Sequence, residues 1–192
     1  MVVLSGPSGA GKSSFVSDLL GRPLDLVYSV SATTRPRRPH EEEGRDYFFI
    51  SRDEFRRRAA AGEFVEWAEV HGELYGTLRS QVDAALRAGK NVLLDIDVQG
   101  GRSVRTHYPD GVFIFVLPPS MESLEARLRK RGTDSEDRIH VRLQNARREM
   151  EMLGEYDYAV VNDDLAAAQK QVASIIVSES LRVARRAVRG AT

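Results

Sequence analysis

Apolar residues fall in short runs and helical-period stripes along this chain. Val2-Val3-Leu4 is a brief apolar run that stops at a glycine-rich stretch, the pattern of a buried strand. Lys12 to Leu20 places Phe15, Val16, Leu19 and Leu20 on one helical side and ends at Gly21, a C′ residue. Leu26 to Ser31 reads as a second strand, and Asp46 to Ile50 as another. Ser51 with Glu54 is a capping-box pattern that opens a short helix running to Gly62. Phe64 to Val70 is extended, His71-Gly72 is a turn, and Arg79 to Ala88 is a helix stopped by Gly89. Val92-Leu93-Leu94 is a buried strand that carries on through Asp95 and Asp97. Val112 to Leu117, "VFIFVL", is the most apolar strand and is ended by Pro118-Pro119. Met121 to Lys130 and Asp137 to Leu153 predict helices joined by "RGTDSE". "YAVVN" is a last strand, followed by a long helix and a tail, "RRAVRGAT", expected to fray.

Strands alternating with helices predict an α/β fold, a parallel sheet flanked by helices. Residues 32 to 77 break the alternation: they are strand-rich, and 32–47, "ATTRPRRPHEEEGRDY", are densely charged and proline-containing, as core packing does not require. That stretch reads as an inserted lobe.

The 192 residues suffice for one sizeable core. The 28 basic residues balance the 28 acidic ones, which argues against a general nucleic-acid or membrane-surface binder. No cysteine is present, so disulfides, thiolate metal sites and cysteine nucleophiles are excluded, and a cytoplasmic setting is expected. No apolar run approaches the roughly 20 residues of a membrane span, and no signal peptide is read.

The first candidate chemistry is "GPSGAGKS": Gly6, Pro7, Ser8, Gly9, Ala10, Gly11, Lys12, Ser13 and then Ser14. The spacing G-x-x-x-x-G-K-S, with a strand before it and a helix after, is the P-loop pattern. Its glycines let backbone N–H groups converge on phosphates at a helix N-terminus. Lys12 reaches the outer phosphates and Ser13 is a Mg²⁺ ligand. Asp95 and Asp97, two apart in an extended stretch, fall on one face at the end of a strand where α/β ligands bind. They suit a Mg²⁺ shell or the N–H edge of a base, and one of them can instead cap a following helix. The lobe supplies Ser31, Arg35, Arg38, Tyr47, Glu66, Tyr75, Gly76 and Thr77. Arginine forks match phosphate geometry. Arg56, Arg57 and Arg58 read as the wet face of a helix.

Taken together, "VLSGPSGAGKS", "YSVSATTRPRRPHEEEGRDYFF", "EFVEWAEVHGELYGT", "VLLDIDVQGG", "EARLRKRGTDSED" and "DYAVVNDDL" resemble the guanylate kinase family over nearly the whole chain. The resemblance implies a P-loop NTPase-type core (1–30, 78–120 and 147–192), a GMP-binding lobe (31–77) and a helical lid (121–146). It implies transfer of the γ-phosphoryl of ATP to GMP or dGMP, with Mg²⁺, in purine nucleotide metabolism. By the same resemblance Ser31 and Arg35 contact GMP, Arg38, Tyr47 and Tyr75 hold its phosphate, and Glu66 reads guanine. Gly76, Thr77, Asp95 and Asp97 complete those surroundings, Asp97 reaching the metal through water. The lid arginines map to Arg127, Arg131 and Arg142; Lys12, Arg35, Arg131 and Arg142 are the expected catalytic set. Asn162 either bonds adenine or caps the next helix. The family's T-T-R-x-P-R-x-G-E reads "TTRPRRPHE" here, with Pro36 displaced, Arg37 in the usual proline place and His40 in place of glycine.

The chemistry suits these residues. Guanine offers N1–H and N2–H₂ donors to an ionised carboxylate, and adenine has no N1–H. A site built on that pair rejects the wrong base by as much as about 10⁴-fold. Two anions must meet in line, so cations and water exclusion matter more than a general base. Other small-molecule kinases share the loop but need no Glu66 with Tyr75 and Thr77. A catalytically dead interaction module would carry a degraded loop. A switch GTPase would carry N-K-x-D, which is absent.

Overall fold

A computed structural model describes residues 1–70, 72–130, 132 and 135–182. Five parallel strands form the central sheet in the order β2 (Leu26–Tyr28), β7 (Asn91–Asp95), β1 (Val2–Ser5), β8 (Val112–Leu117), β9 (Tyr158–Val161). β1 is the middle strand, and Val3, Leu4, Leu93, Ile114, Phe115 and Val116 have no exposed surface. Strands covered on both faces read as continuous apolar runs, which is why "VVL" and "VFIFVL" were legible. α1 (Lys12–Leu20) and α7 (Leu165–Ser180) pack on one face through Phe15, Leu19, Val172 and Ile176. α3 (Arg79–Arg87) and α4 (Val98–His107) cover the other through Val82 and Val104.

The lobe is a second, mixed sheet of four strands, β4 (Phe48–Phe49), β3 (Ala32–Thr33), β6 (Glu73–Leu78) and β5 (Phe64–Val70), backed by α2 (Arg52–Ala60). Its own core is Ala32, Phe55, Phe64, Leu74 and Leu78, with Phe55 and Phe64 stacked at 4.4 Å. α5 (Met121–Lys130) and α6 (Glu136–Glu151) join through Leu124, Leu128, Ile139 and Ala146.

Three elements differ from the sequence reading. The expected strand 26–31 stops at Tyr28, and the next strand, β3, starts at Ala32 and belongs to the other sheet. Between them Gln81 stands in for a strand partner, accepting from Val30 N–H at 3.3 Å and donating to its carbonyl at 3.0 Å. The strand through Asp95 and Asp97 stops at Asp95. Asp97 is the N-cap of α4, accepting from Gly100 N–H at 2.7 Å. This is the alternative in which one of the two aspartates caps a following helix; the bounds of α4 were not read from the sequence, because Gly100-Gly101 carries low helix propensity. Close packing demands both glycines: a Cβ on Gly101 would stand 2.4 Å from the Tyr156 hydroxyl. The His71 turn, parts of the "RGTDSE" joint and the tail lie outside the described residues.

Candidate active site

The loop after β1 turns on three glycines with positive φ: Gly6 at 140°, Gly9 at 97° and Gly11 at 95°. A side chain at Gly6 would also collide with the Val116 carbonyl, 2.2 Å from an added Cβ. The loop therefore lies hard against β8 at the C-terminal end of β1, and α1 begins directly after it. Lys12 Nζ donates to the Gly6 carbonyl at 2.7 Å, curling its ammonium over the loop. Ser13 and Ser14 are exposed on the first turn of α1.

Asn162 is 5% exposed and donates from Nδ2 to the Ala10 carbonyl at 2.7 Å. It braces the phosphate loop. The helix cap is Asp164, which accepts from Ala167 N–H at 2.8 Å. The cap expectation for Asn162 is thus revised, because the cap lies two residues on, and one of its amide N–H groups is used inside the protein on the Ala10 carbonyl. Arg127 is likewise turned to carbonyls, 2.7 Å from that of Asn162 and 3.4 Å from that of Ala10. Gly9 packs on Leu124 and Leu128, so α5 supports the loop. Arg131 lies outside the described residues.

A cavity of about 450 Å³ separates the loop from the lobe. Gly6, Ser8, Lys12, Ser31, Tyr47, Glu66, Tyr75, Gly76, Asp95, Asp97 and Arg142 all border it. Residues from the phosphate loop, the lobe, the end of β7 and α6 thus meet at one cavity. Glu66 is 6% exposed and accepts from Thr77 Oγ1 at 2.5 Å. Burial drives its carboxyl up to about 7, with Asp97 adding to the rise and Thr77 opposing it. Burial also raises the Asp95 carboxyl, while Lys12 pulls it back. Tyr47 is pushed up to about 12, first by burial and then by Asp95, so its phenol stays a neutral donor at pH 7.

Tyr47 and Tyr75 meet edge to face, with centroids 5.9 Å apart. Arg35 rests over Tyr47 at 5.4 Å and Phe49 at 5.8 Å. Neither Arg35 nor Arg38 is among the residues that border the cavity, and the Arg38 side chain is 62% exposed. Arg37 and His40 are exposed. Asp25 is the non-glycine with positive φ among the described residues, so His40 fits an ordinary backbone conformation where the family has glycine.

Sequence reasoning missed Glu41, which is 8% exposed and pairs with Arg35 at 2.6 Å. The family pattern ends on Glu41, which was the available signal, but it was given no role, and a run of three glutamates does not by itself report which one is buried. It also missed Asn145, Arg148 and Glu149, which border the cavity from α6 as Arg142 does, and Met152 just past the end of that helix. The spacing from Arg142 to Asn145, Glu149 and Met152 is a helical face and was the available signal.

A phosphate loop at the end of the central strand of a parallel sheet, facing a second lobe across a cleft, defines a P-loop nucleotide-binding protein with two substrate sites. Residues 1–179 match the family model described as guanylate kinase. A guanylate kinase of Thermotoga maritima is 53% identical over 96% of this chain and 89% of its own length. One from Desulfitobacterium hafniense is 48% identical over 97% of this chain and 93% of its own. The crystal structure of guanylate kinase from Anaplasma phagocytophilum superposes with a TM-score of 0.81 at 35% identity, covering 96% of this chain and 88% of that one. The chain belongs to the guanylate kinase family, enzymes that phosphorylate GMP to GDP with ATP. No helix among the described residues is long and apolar enough to cross a membrane.

Proposed function

We propose that this chain transfers the γ-phosphoryl of ATP to GMP and dGMP across the cavity between the phosphate loop and the lobe, in the cytoplasm, as a step of purine nucleotide metabolism. The observation that carries this proposal is that Glu66 and Lys12 open onto one cavity. A buried carboxylate with one oxygen held by Thr77 can direct the other at guanine N1–H and N2–H₂. Adenine would leave it unpaired. The groups assigned here read the base edge and the phosphate, parts that GMP and dGMP share.

The loop N–H groups and Lys12 hold the ATP phosphates. Arg35, Arg38, Tyr47 and Tyr75 hold the acceptor phosphate, and Ser31, Gly76 and Asp95 border its nucleoside. Lys12 follows charge on the moving phosphoryl, and Arg142, joined by Arg131, approaches from the other side. These cations relieve repulsion between two anionic substrates held in line. Asn162 and Arg127 keep the Ala10 turn of the loop in place, which supports ATP from beneath. The segment 121–146 closes over the phosphates and excludes water.

Ser13, Asp95 and Asp97 offer an all-oxygen donor set, the kind a hard cation takes. Ser13 would hold Mg²⁺ directly and Asp97 through water, and the ion would neutralise charge on the transferring group.

The test is a coupled ADP-release assay with ATP and a panel of GMP, dGMP, AMP, CMP and UMP. GMP and dGMP should turn over and the others should lag far behind. AMP turnover equal to that of GMP would remove Glu66 from the assignment. Silence with every acceptor would indicate a binding module.

A further inference from the structure

Of the three glutamates in "HEEEG", Glu42 and Glu43 are exposed and Glu41 is buried in the loop that carries Arg35 and Arg38. Both of its oxygens are used. Oε1 accepts from Arg35 Nη2 at 2.6 Å, and Oε2 accepts from the Arg38 backbone N–H at 2.9 Å. The Glu41 N–H in turn donates to the Arg38 carbonyl at 3.1 Å. The Arg38 guanidinium lies 3.9 Å from Oε1. Arg35 makes one further bond, from Nη1 to the Pro36 carbonyl at 2.8 Å. Its guanidinium also meets the Tyr75 hydroxyl and rests over the Tyr47 ring, so both tyrosines stand beside it.

We infer that Glu41 is a positioning residue for the acceptor phosphate: its buried carboxylate ties the Arg35 side chain to the Arg38 backbone and so fixes the spacing of the two-arginine fork. The inference rests on the assignment of Arg35 and Arg38 to the GMP phosphate. Two physical effects oppose each other here. A carboxylate close to an incoming phosphate repels it, so removing the charge alone would tighten GMP binding. Yet a guanidinium already set in place loses less freedom on binding, and a loose fork holds phosphate poorly. The geometry favours the second effect. One oxygen is spent wholly on the backbone, and the other takes only part of a five-donor guanidinium. The Arg35 hydrogen bond draws the Glu41 carboxyl below its usual range, so it stays ionised while the enzyme works.

Glu41→Gln is isosteric, and its single oxygen can serve Arg35 or the Arg38 N–H, not both. The expected result is a rise in KM for GMP of about 10-fold or more, with KM for ATP unchanged and kcat nearly so. Guanosine, which lacks the phosphate, should inhibit wild type and Glu41→Gln with the same Ki; a merely structural fault would weaken it as well. Combining Glu41→Gln with Arg35→Ala should cost less than the two effects added together. An unchanged or lower KM for GMP in Glu41→Gln, or a parallel loss of guanosine, overturns the inference. Arg35→Ala with an unchanged KM for GMP would overturn the phosphate assignment itself, and the role of Glu41 with it.

Discussion

Gly100 leaves room for Glu66: a Cβ built on Gly100 would stand 2.6 Å from Glu66 Oε2 and 3.0 Å from its Cδ. The first turn of α4 thus lies directly against the buried carboxylate, which Thr77 holds from the other side. Gly100→Ala should push Glu66 from its place. KM for GMP is expected to rise about 10-fold, in line with loss of a charge-assisted bond, while KM for ATP holds. The melting temperature should change little, because alanine in a helix regains about 1 kcal/mol over glycine. Steady-state kinetics beside a thermal melt separates the two effects.

The Glu66 carboxyl lies at about 7 in the free protein, raised by burial. Guanine needs it ionised, so bound GMP favours the deprotonated form and draws its pKa down. KM for GMP should therefore climb as pH falls below about 7 and level off above it. Thr77→Val removes the bond that lowers this pKa, so the climb should begin at higher pH. Glu66→Gln should lose this limb and cost roughly 10- to 150-fold in kcat/KM for GMP, the worth of about 1.5–3 kcal/mol. A pH series from 6 to 9 on the three proteins decides it, and an unchanged profile in Glu66→Gln would refute the assignment.

Lys12→Ala removes the ammonium that stands over the loop and lowers the Asp95 carboxyl. If Lys12 tracks the moving charge, kcat should fall by about 10²-fold or more. The fold should persist, since the bond to Gly6 is partly exposed to water. Circular dichroism and single-turnover rates check both parts.

Asn162→Ala strips the Ala10 carbonyl of a buried donor. The carbonyl keeps only the long 3.4 Å bond from Arg127, so the cost is about 1 kcal/mol, that of one lost hydrogen bond. The melting temperature should drop, and KM for ATP should rise more than KM for GMP, because the brace lies under the donor loop. Equal effects on both substrates would mean that Asn162 supports the fold generally.

The P-loop was legible because its chemistry depends on local backbone: glycines at fixed offsets between a strand and a helix. The burial of Glu41 was not: the family pattern ends on this residue, yet "EEE" has no period that reports which carboxylate is buried. α4 was hidden by Gly100-Gly101, whose reason is tertiary: Glu66 and Tyr156 occupy the space where side chains would go. Asn162 was noticed, but its partner lies 152 residues away.

The sequence by itself determined the parallel core, the phosphate loop, the inserted lobe and part of the set of residues that face the cavity. Runs of apolar residues and glycine spacing report which backbone conformations and which burials are affordable locally. Only the tertiary structure decided that Asp97 caps a helix, that Asn162 and Arg127 brace the loop, and that Glu41 ties the two arginines together. Each of those outcomes depends on how an unmet buried donor, acceptor or charge finds a partner, and that partner is chosen by packing between distant segments.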